Sequence, residues 1–160
     1  KYTPTWPRSF MPANQDLRNK IANMKQVPVP ELIRDKKLLF VDDSIVRGNT
    51  SKKLVDMLRS AGAKEVHLRI VSPETRWPCF YGIDTDTQDQ LIAANMTNQE
   101  MCDFIGCDSL AFISVEGLHE AIQCEHPGFC DACFTGEYPV DIPDTMKAKS
   151  FLPEGKAVLD

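Results

Sequence analysis

The stretch "LLFVDDSIVRGNTSKKL", residues 38–54, decides the fold. An apolar run from Leu38 to Val41 starts behind two lysines, Lys36 and Lys37, and ends on adjacent carboxylates, Asp42 and Asp43. That pattern is expected of a strand buried on both faces, as strands of parallel sheets are. "SIVRGNTS", residues 44–51, reads as a turn-rich loop, with Thr50 or Ser51 expected to cap the helix that follows. In that helix Leu54, Val55, Leu58 and Ala61 share one face, and Gly62 is expected to close it. "EVHLRIVSP", residues 65–73, is a second strand stopped by Pro73. Strand, helix and strand in succession make a right-handed parallel βαβ unit.

Upstream of this unit, residues 1–12 carry Pro4, Pro7 and Pro12 without apolar periodicity and read as a flexible loop. Leu17, Ile21 and Met24 fall at helical spacing, and Pro28 and Pro30 form a rigid connector. Downstream, "RWPCFYGID" (76–84) is an aromatic loop, followed by short helices expected around 87–94 and 98–105. "SLAFIS" from Ser109 is a third strand, and "VEGLHEAI" (115–122) a closing helix. The expected fold class is therefore α/β, a parallel sheet with flanking helices over residues 13–122. Residues 123–160 read as an irregular, cysteine-bearing tail that lacks a core of its own and needs a staple or a neighbour.

Composition narrows the function classes. A chain of 160 residues fits one domain with an ordinary core. Its net charge of -5 and pI near 5.2 argue against a nucleic-acid footprint, which needs a clustered basic face. No apolar run approaches the roughly 20 residues needed to cross a bilayer, and no secretory leader opens the sequence, so a cytoplasmic address is expected. The six cysteines are unevenly placed, none before Cys79, and read as reduced thiols or metal ligands.

The acidic turn carries the chemistry. In parallel sheets, ligands sit beyond the carboxyl ends of the strands. Asp42 and Asp43 repel each other there, so a cation or a polyhydroxylated ligand is their natural counterpart; Mg2+ is held through one or two carboxylates plus ligand oxygens. Ser44, Ile45, Val46, Arg47, Gly48, Asn49, Thr50 and Ser51 then supply backbone N–H groups, hydroxyls and a helix N-terminus, all of which favour a phosphate. The competing reading is an Asp-Asp pair that merely ends a strand and begins a loop. The stretch is neither a Walker loop nor a dinucleotide fingerprint.

Cys130 and Cys133 form C-x-x-C, a spacing that lets two thiolates reach one metal centre, and Cys79 sits on the aromatic loop. A zinc knuckle of Cys124, Cys130 and Cys133 with His126 or Cys79, or no metal at all, are the alternatives. Cys102 and Cys107 read as buried small hydrophobes, His67 and His119 as structural or solvent-facing, and Trp6 and Trp77 as packing residues.

"FVDDSIVRGNTS" resembles the phosphoribosylpyrophosphate-binding motif of type I phosphoribosyltransferases. With "PCFYGID", "LIA", "SVEGL" and "CFTGEYP" downstream, the text from Arg8 to Pro139 resembles the C-terminal part of the amidophosphoribosyltransferase family. The resemblance implies a partial type I phosphoribosyltransferase fold. It also implies the first committed step of purine biosynthesis, the transfer of glutamine-derived ammonia to phosphoribosylpyrophosphate to give 5-phosphoribosylamine and pyrophosphate. On the family pattern Asp42 and Asp43 contact the ribose hydroxyls and Mg2+, and residues 44–51 wrap the 5-phosphate, where purine nucleotides also bind as inhibitors.

Residues 1–12 would be the remnant of the family's flexible active-site loop, with Arg8 a loop contact. Cys79, Cys130 and Cys133 match three ligands of a [4Fe-4S] cluster, whose fourth, upstream ligand has no counterpart here. The N-terminal glutaminase and the earlier transferase segments would be supplied by a longer precursor or a companion chain, in a homo-oligomeric whole enzyme, and this chain alone is expected to be inactive. A non-catalytic ribose-phosphate module and a metal-stapled interaction protein are the competing functional readings.

Overall fold

The computed structural model describes residues 27–83, 85, 87–123 and 128–151. The helix expected around Leu17, Ile21 and Met24, and the residues Trp6, Arg8, Cys124 and His126, lie outside them. Elements follow in the order α1 (Pro30–Ile33), β1 (Lys37–Asp42), α2 (Asn49–Ser60), β2 (Glu65–Ile70), α3 (Ile92–Asn95), α4 (Asn98–Ile105), β3 (Ser109–Phe112), α5 (Val115–Ile122), α6 (Ala132–Thr135) and α7 (Asp144–Ser150). A 3-10 turn, Gln88–Gln90, precedes α3.

The strands form a parallel sheet in the order β1-β2-β3. Leu38 pairs with Val66 and Asp42 with Ile70, while Leu68 pairs with Leu110. Alternation then sets one row of side chains, Leu38, Phe40, Val66, Leu68, Ile70 and Leu110, against Leu54, Val55, Leu58, Met101 and Ile105 of α2 and α4. The apolar face read from α2 is thus the buried one.

The expectation that β1 is buried on both faces is corrected. Leu39 and Val41 are 67% and 57% exposed, because among the described residues the helices cover one face of the sheet. The opposite face carries His67, which lies 2.9 Å from Ser109 Oγ and 3.1 Å from Glu65 Oε2. His67 therefore has a structural role in tying β2 to β3, as its position in strand text suggested.

Helix ends follow their local chemistry. Gly62, at φ +94°, lies just past α2; its amide donates to the Arg59 carbonyl at 2.9 Å and that of Ala63 to the Leu58 carbonyl at 3.0 Å, the paired bonds of a Schellman motif. Thr97 and Glu100 form a reciprocal capping box that starts α4, and Ser114 caps α5 through the Gly117 amide.

The tail departs from expectation by forming two short helices, α6 and α7. It is held by a neighbour, the aromatic loop. The Cys133 carbonyl accepts from the amides of Arg76 and Trp77 at 3.0 and 3.1 Å, and Tyr138 Oη donates to the Pro78 carbonyl at 2.7 Å. Trp77, Phe80, Tyr138 and Phe151 complete the contact, with ring centroids 5.2–6.1 Å apart in tilted or edge geometry. His119 Nε2 of α5 also lies 3.2 Å from Asp131 Oδ2 at the start of α6. No helix among the described residues is long and apolar enough to cross a membrane.

Candidate functional site

Asp42 ends β1 at the carboxyl edge of the sheet, on the same row as Leu38 and Phe40, and is half-buried. Burial raises its pKa, the Asp43 amide donating to Asp42 Oδ1 at 3.1 Å works the other way, and the Asp43 charge raises it again. Asp43 is exposed and accepts from Ser44 Oγ at 3.3 Å. Two carboxylates, one partly desolvated and one open to water, thus stand side by side at the end of one strand. A cation or a set of hydroxyl donors would relieve both desolvation and repulsion.

The loop that follows is anchored from below. Ile45 is 2% exposed and Ser51 5%, so these side chains hold the loop rather than face outward. Arg47, Asn49 and Thr50 are exposed, and Val46 is half-buried. Gly48 is the N-cap of α2, with φ +74°. The expected Thr50 or Ser51 cap is therefore corrected by two or three residues: the helix opens at Asn49, inside the stretch read as loop, and has no side-chain cap. A Cβ at Gly48 would lie 2.7 Å from Ile92 Cδ1 and 3.2 Å from Phe104 Cε1, so glycine suits both the left-handed φ and the close approach of the loop to α3 and α4.

The result is an uncapped twelve-residue helix whose N-terminus opens beside two carboxylates. The first amides of such a helix have no intrahelical acceptor and carry the positive end of its dipole, which makes them an anion seat. Cation next to anion, the arrangement suits a phosphorylated polyol bound with a divalent metal.

Sequence reasoning missed the brace behind the loop. The Ile92 amide donates to the Val46 carbonyl at 2.9 Å, and Lys52 Nζ donates to the Phe104 carbonyl at 2.7 Å while sitting 5.0 Å from that ring's centroid. These contacts join residues some 50 apart, and no local periodicity signals them. A groove of about 370 Å3 opens at the carboxyl ends of β2 and β3 between Glu74, Arg76, Asn98 and Ser114. The acidic turn does not line it.

The cysteines read as ligands gather at another corner. Cys79 lies on the aromatic loop, its amide donating to Thr85 Oγ1 at 2.7 Å, and Cys133 is tied to that loop through its carbonyl. Burial pushes the Cys133 thiol up to about 11, and nearby Cys79 and Cys130 add to the rise. Cys133 is therefore within electrostatic reach of both Cys79 and Cys130. The three do not form a ready-made centre, since no three His, Cys, Asp or Glu side chains among the described residues are placed to hold one metal ion.

No protein-family model matches the chain. Among curated proteins it is 48% identical over 147 residues to an amidophosphoribosyltransferase of Synechococcus elongatus, covering 92% of this chain and 30% of that protein. It is 48% identical over 151 residues to amidophosphoribosyltransferase 2, chloroplastic, of Arabidopsis thaliana, covering 92% and 27%, and 48% identical over 139 residues to the Bacillus subtilis protein, covering 84% and 29%. The chain thus spans under a third of the length of these relatives.

Solved structures share its fold, among them these two. One is the glutamine phosphoribosylpyrophosphate amidotransferase of B. subtilis complexed with ADP and GMP (TM-score 0.72, 42% identity, 90% of this chain and 32% of that one). The other is described as the allosteric regulatory enzyme of purine biosynthesis (TM-score 0.71, 41% identity, 98% and 34%). Sequence identity and shared fold together establish that this chain belongs to the amidophosphoribosyltransferase family.

Proposed function

We propose that the chain supplies the ribose-5-phosphate half of an amidophosphoribosyltransferase site, in an enzyme that displaces pyrophosphate from phosphoribosylpyrophosphate with glutamine-derived ammonia. The observation that carries this reading is the acidic pair at the end of β1 followed directly by the uncapped N-terminus of α2. Asp42 and Asp43 would hold the ribose hydroxyls and, through them, Mg2+. The amides of residues 44–51, with the Ser44 and Thr50 hydroxyls, would seat the 5-phosphate. Arg47, exposed on the loop, would meet the ligand's outer side.

Pyrophosphate is a competent leaving group once its charge is neutralised, so these residues act by positioning and by electrostatic stabilisation rather than by proton transfer. Bound Mg2+ supplies that neutralisation. Half-burial of Asp42 disfavours its ionised form without a cation and so strengthens the attraction for one. Purine nucleotides share the ribose 5-phosphate and are proposed to occupy the same seat. The remaining transferase and glutaminase segments, a homo-oligomeric whole enzyme and a cytoplasmic setting belong to the same proposal.

Cys79, Cys130 and Cys133 are proposed as three ligands of a [4Fe-4S] cluster, with Zn2+ as the alternative. The support is chemical: Cys79 and Cys130 both lie near Cys133, and a metal would offset the burial that keeps Cys133 protonated. Elemental analysis of the purified protein distinguishes iron and sulfide from zinc, and absence of all three refutes a metal there.

The main reading is tested by titration calorimetry with Mg2+ and either phosphoribosylpyrophosphate or GMP, on the protein and on Asp42→Asn plus Asp43→Asn. Binding that survives the double substitution unchanged overturns it. A pyrophosphate-release assay with ammonia separates binding from turnover.

A further inference from the structure

Helix α4 ends in a turn that brings two thiols together. Gly106, at φ +82°, bends the chain back, and the amides of Gly106 and Cys107 both donate to the Cys102 carbonyl, at 2.9 and 3.2 Å. Cys107 is folded over Cys102 as a result. The two Sγ atoms are 3.3 Å apart, and the Cys102 thiol donates to the Cys107 carbonyl at 3.2 Å. A disulfide requires sulfurs about 2.05 Å apart, so a shift of little more than an ångström closes the gap. Cys102 is 6% exposed and Cys107 is half-buried, which makes Cys107 the more accessible of the two cysteines, with Cys102 behind it.

We infer that Cys102 and Cys107 form a redox modification site, a dithiol that a low-molecular-weight disulfide such as oxidised glutathione converts to an intrachain disulfide. The Cys107 thiol loses its proton to solvent, and the thiolate attacks one sulfur of the small disulfide, breaking its S–S bond and releasing one small thiol. The Cys102 thiol then loses its proton and attacks the Cys107 sulfur of the mixed disulfide, expelling the second small thiol. The two protein thiols give up two electrons and two protons, and the small disulfide takes both as two thiols.

Burial and the adjacent Cys102 push the Cys107 thiol up to about 12, so its thiolate is scarce at neutral pH. The first step therefore accelerates about tenfold per pH unit across the neutral to mildly alkaline range. The bridge lies in the turn after Phe104, whose carbonyl holds Lys52 of α2. This inference stands apart from the acidic turn and needs no ligand there.

The test is peptide mapping of the full chain after incubation with oxidised glutathione at mildly alkaline pH, followed by alkylation. Asp103 separates the two cysteines, so a protease that cuts at aspartate leaves them on different peptides that stay joined only through a disulfide. The expected result is that joined pair, with the loss of two hydrogen masses and a formation rate that climbs with pH. In Cys107→Ser the joined pair vanishes. Cys102→Ser, which leaves the more accessible cysteine in place, gives a stable glutathione adduct on Cys107. Recovery of both cysteines alkylated, or as separate glutathione adducts in the unsubstituted protein, overturns the inference.

Discussion

Replacing Gly48 by alanine tests the packing that holds the candidate loop. Gly48 adopts φ +74°, a region that costs an L side chain about 1–2 kcal/mol. Its added methyl would meet Ile92 Cδ1 at 2.7 Å and Phe104 Cε1 at 3.2 Å. Because the nearer atom is the free end of an isoleucine, crowding adds about 1 kcal/mol rather than the top of the overpacking range. A total near 2–3 kcal/mol is expected. Gly106 supplies the control: its φ is +82°, but the nearest atom to an added Cβ is Val55 Cγ1 at 4.0 Å, so only the backbone term of about 1–2 kcal/mol applies. Urea denaturation followed by far-UV circular dichroism reads both as midpoint shifts at constant slope. Equal losses for Gly48→Ala and Gly106→Ala would refute the claim that α3 and α4 press on the loop.

Asp42→Asn is expected to affect stability and binding in opposite directions. Because burial raises the Asp42 pKa, the folded state holds its proton longer than the unfolded one. Ligand-free stability therefore falls as pH rises from the ordinary value of 3.8 through the raised one, and the asparagine variant is slightly more stable at neutral pH while losing Mg2+-dependent binding; thermal melts with and without Mg2+ check this. Asp108 has the reverse sign. The Val66 amide and Arg59 Nη2, both donating to Asp108 Oδ2 at 2.6 Å, lower its pKa, so its contribution is present above 3.8 and lost as pH falls through the lowered value. Asp108→Asn should cost about 1–2 kcal/mol at neutral pH and flatten the acid limb of the stability curve. Tyr138→Phe removes the 2.7 Å bond to the Pro78 carbonyl and should cost about 1 kcal/mol, with faster amide exchange at both Trp77 and residues 132–135. Exchange confined to one of the two segments would show that they are not coupled.

Much of the site was legible because its parts are contiguous. The apolar run into Asp42 and Asp43, the small-residue loop and the α2 periodicity fall within one short stretch, and each obeys a local rule. Helices α4 and α5 occupy the ranges 98–105 and 115–122 expected from the sequence, and Thr97 with Glu100, and Ser114, cap their starts. What was not legible depends on distant partners. Gly48, not a hydroxyl residue, precedes α2, because the chain there takes a left-handed φ and passes close to the side chains of Ile92 and Phe104. The exposure of Leu39 and Val41 reflects which face the helices cover, and a hydrophobic run carries no such information. Cys102 and Cys107 read in the sequence as buried small hydrophobes; their meeting follows from the left-handed turn at Gly106.

One carbonyl oxygen, that of Cys133, receives the amides of both Arg76 and Trp77. Its consequence is that the aromatic loop is shaped by chain that is synthesised long after it. A truncation ending at Ile122 would therefore remove more than a tail: the loop would lose its template, and a defect there would be misread as damage to the loop itself.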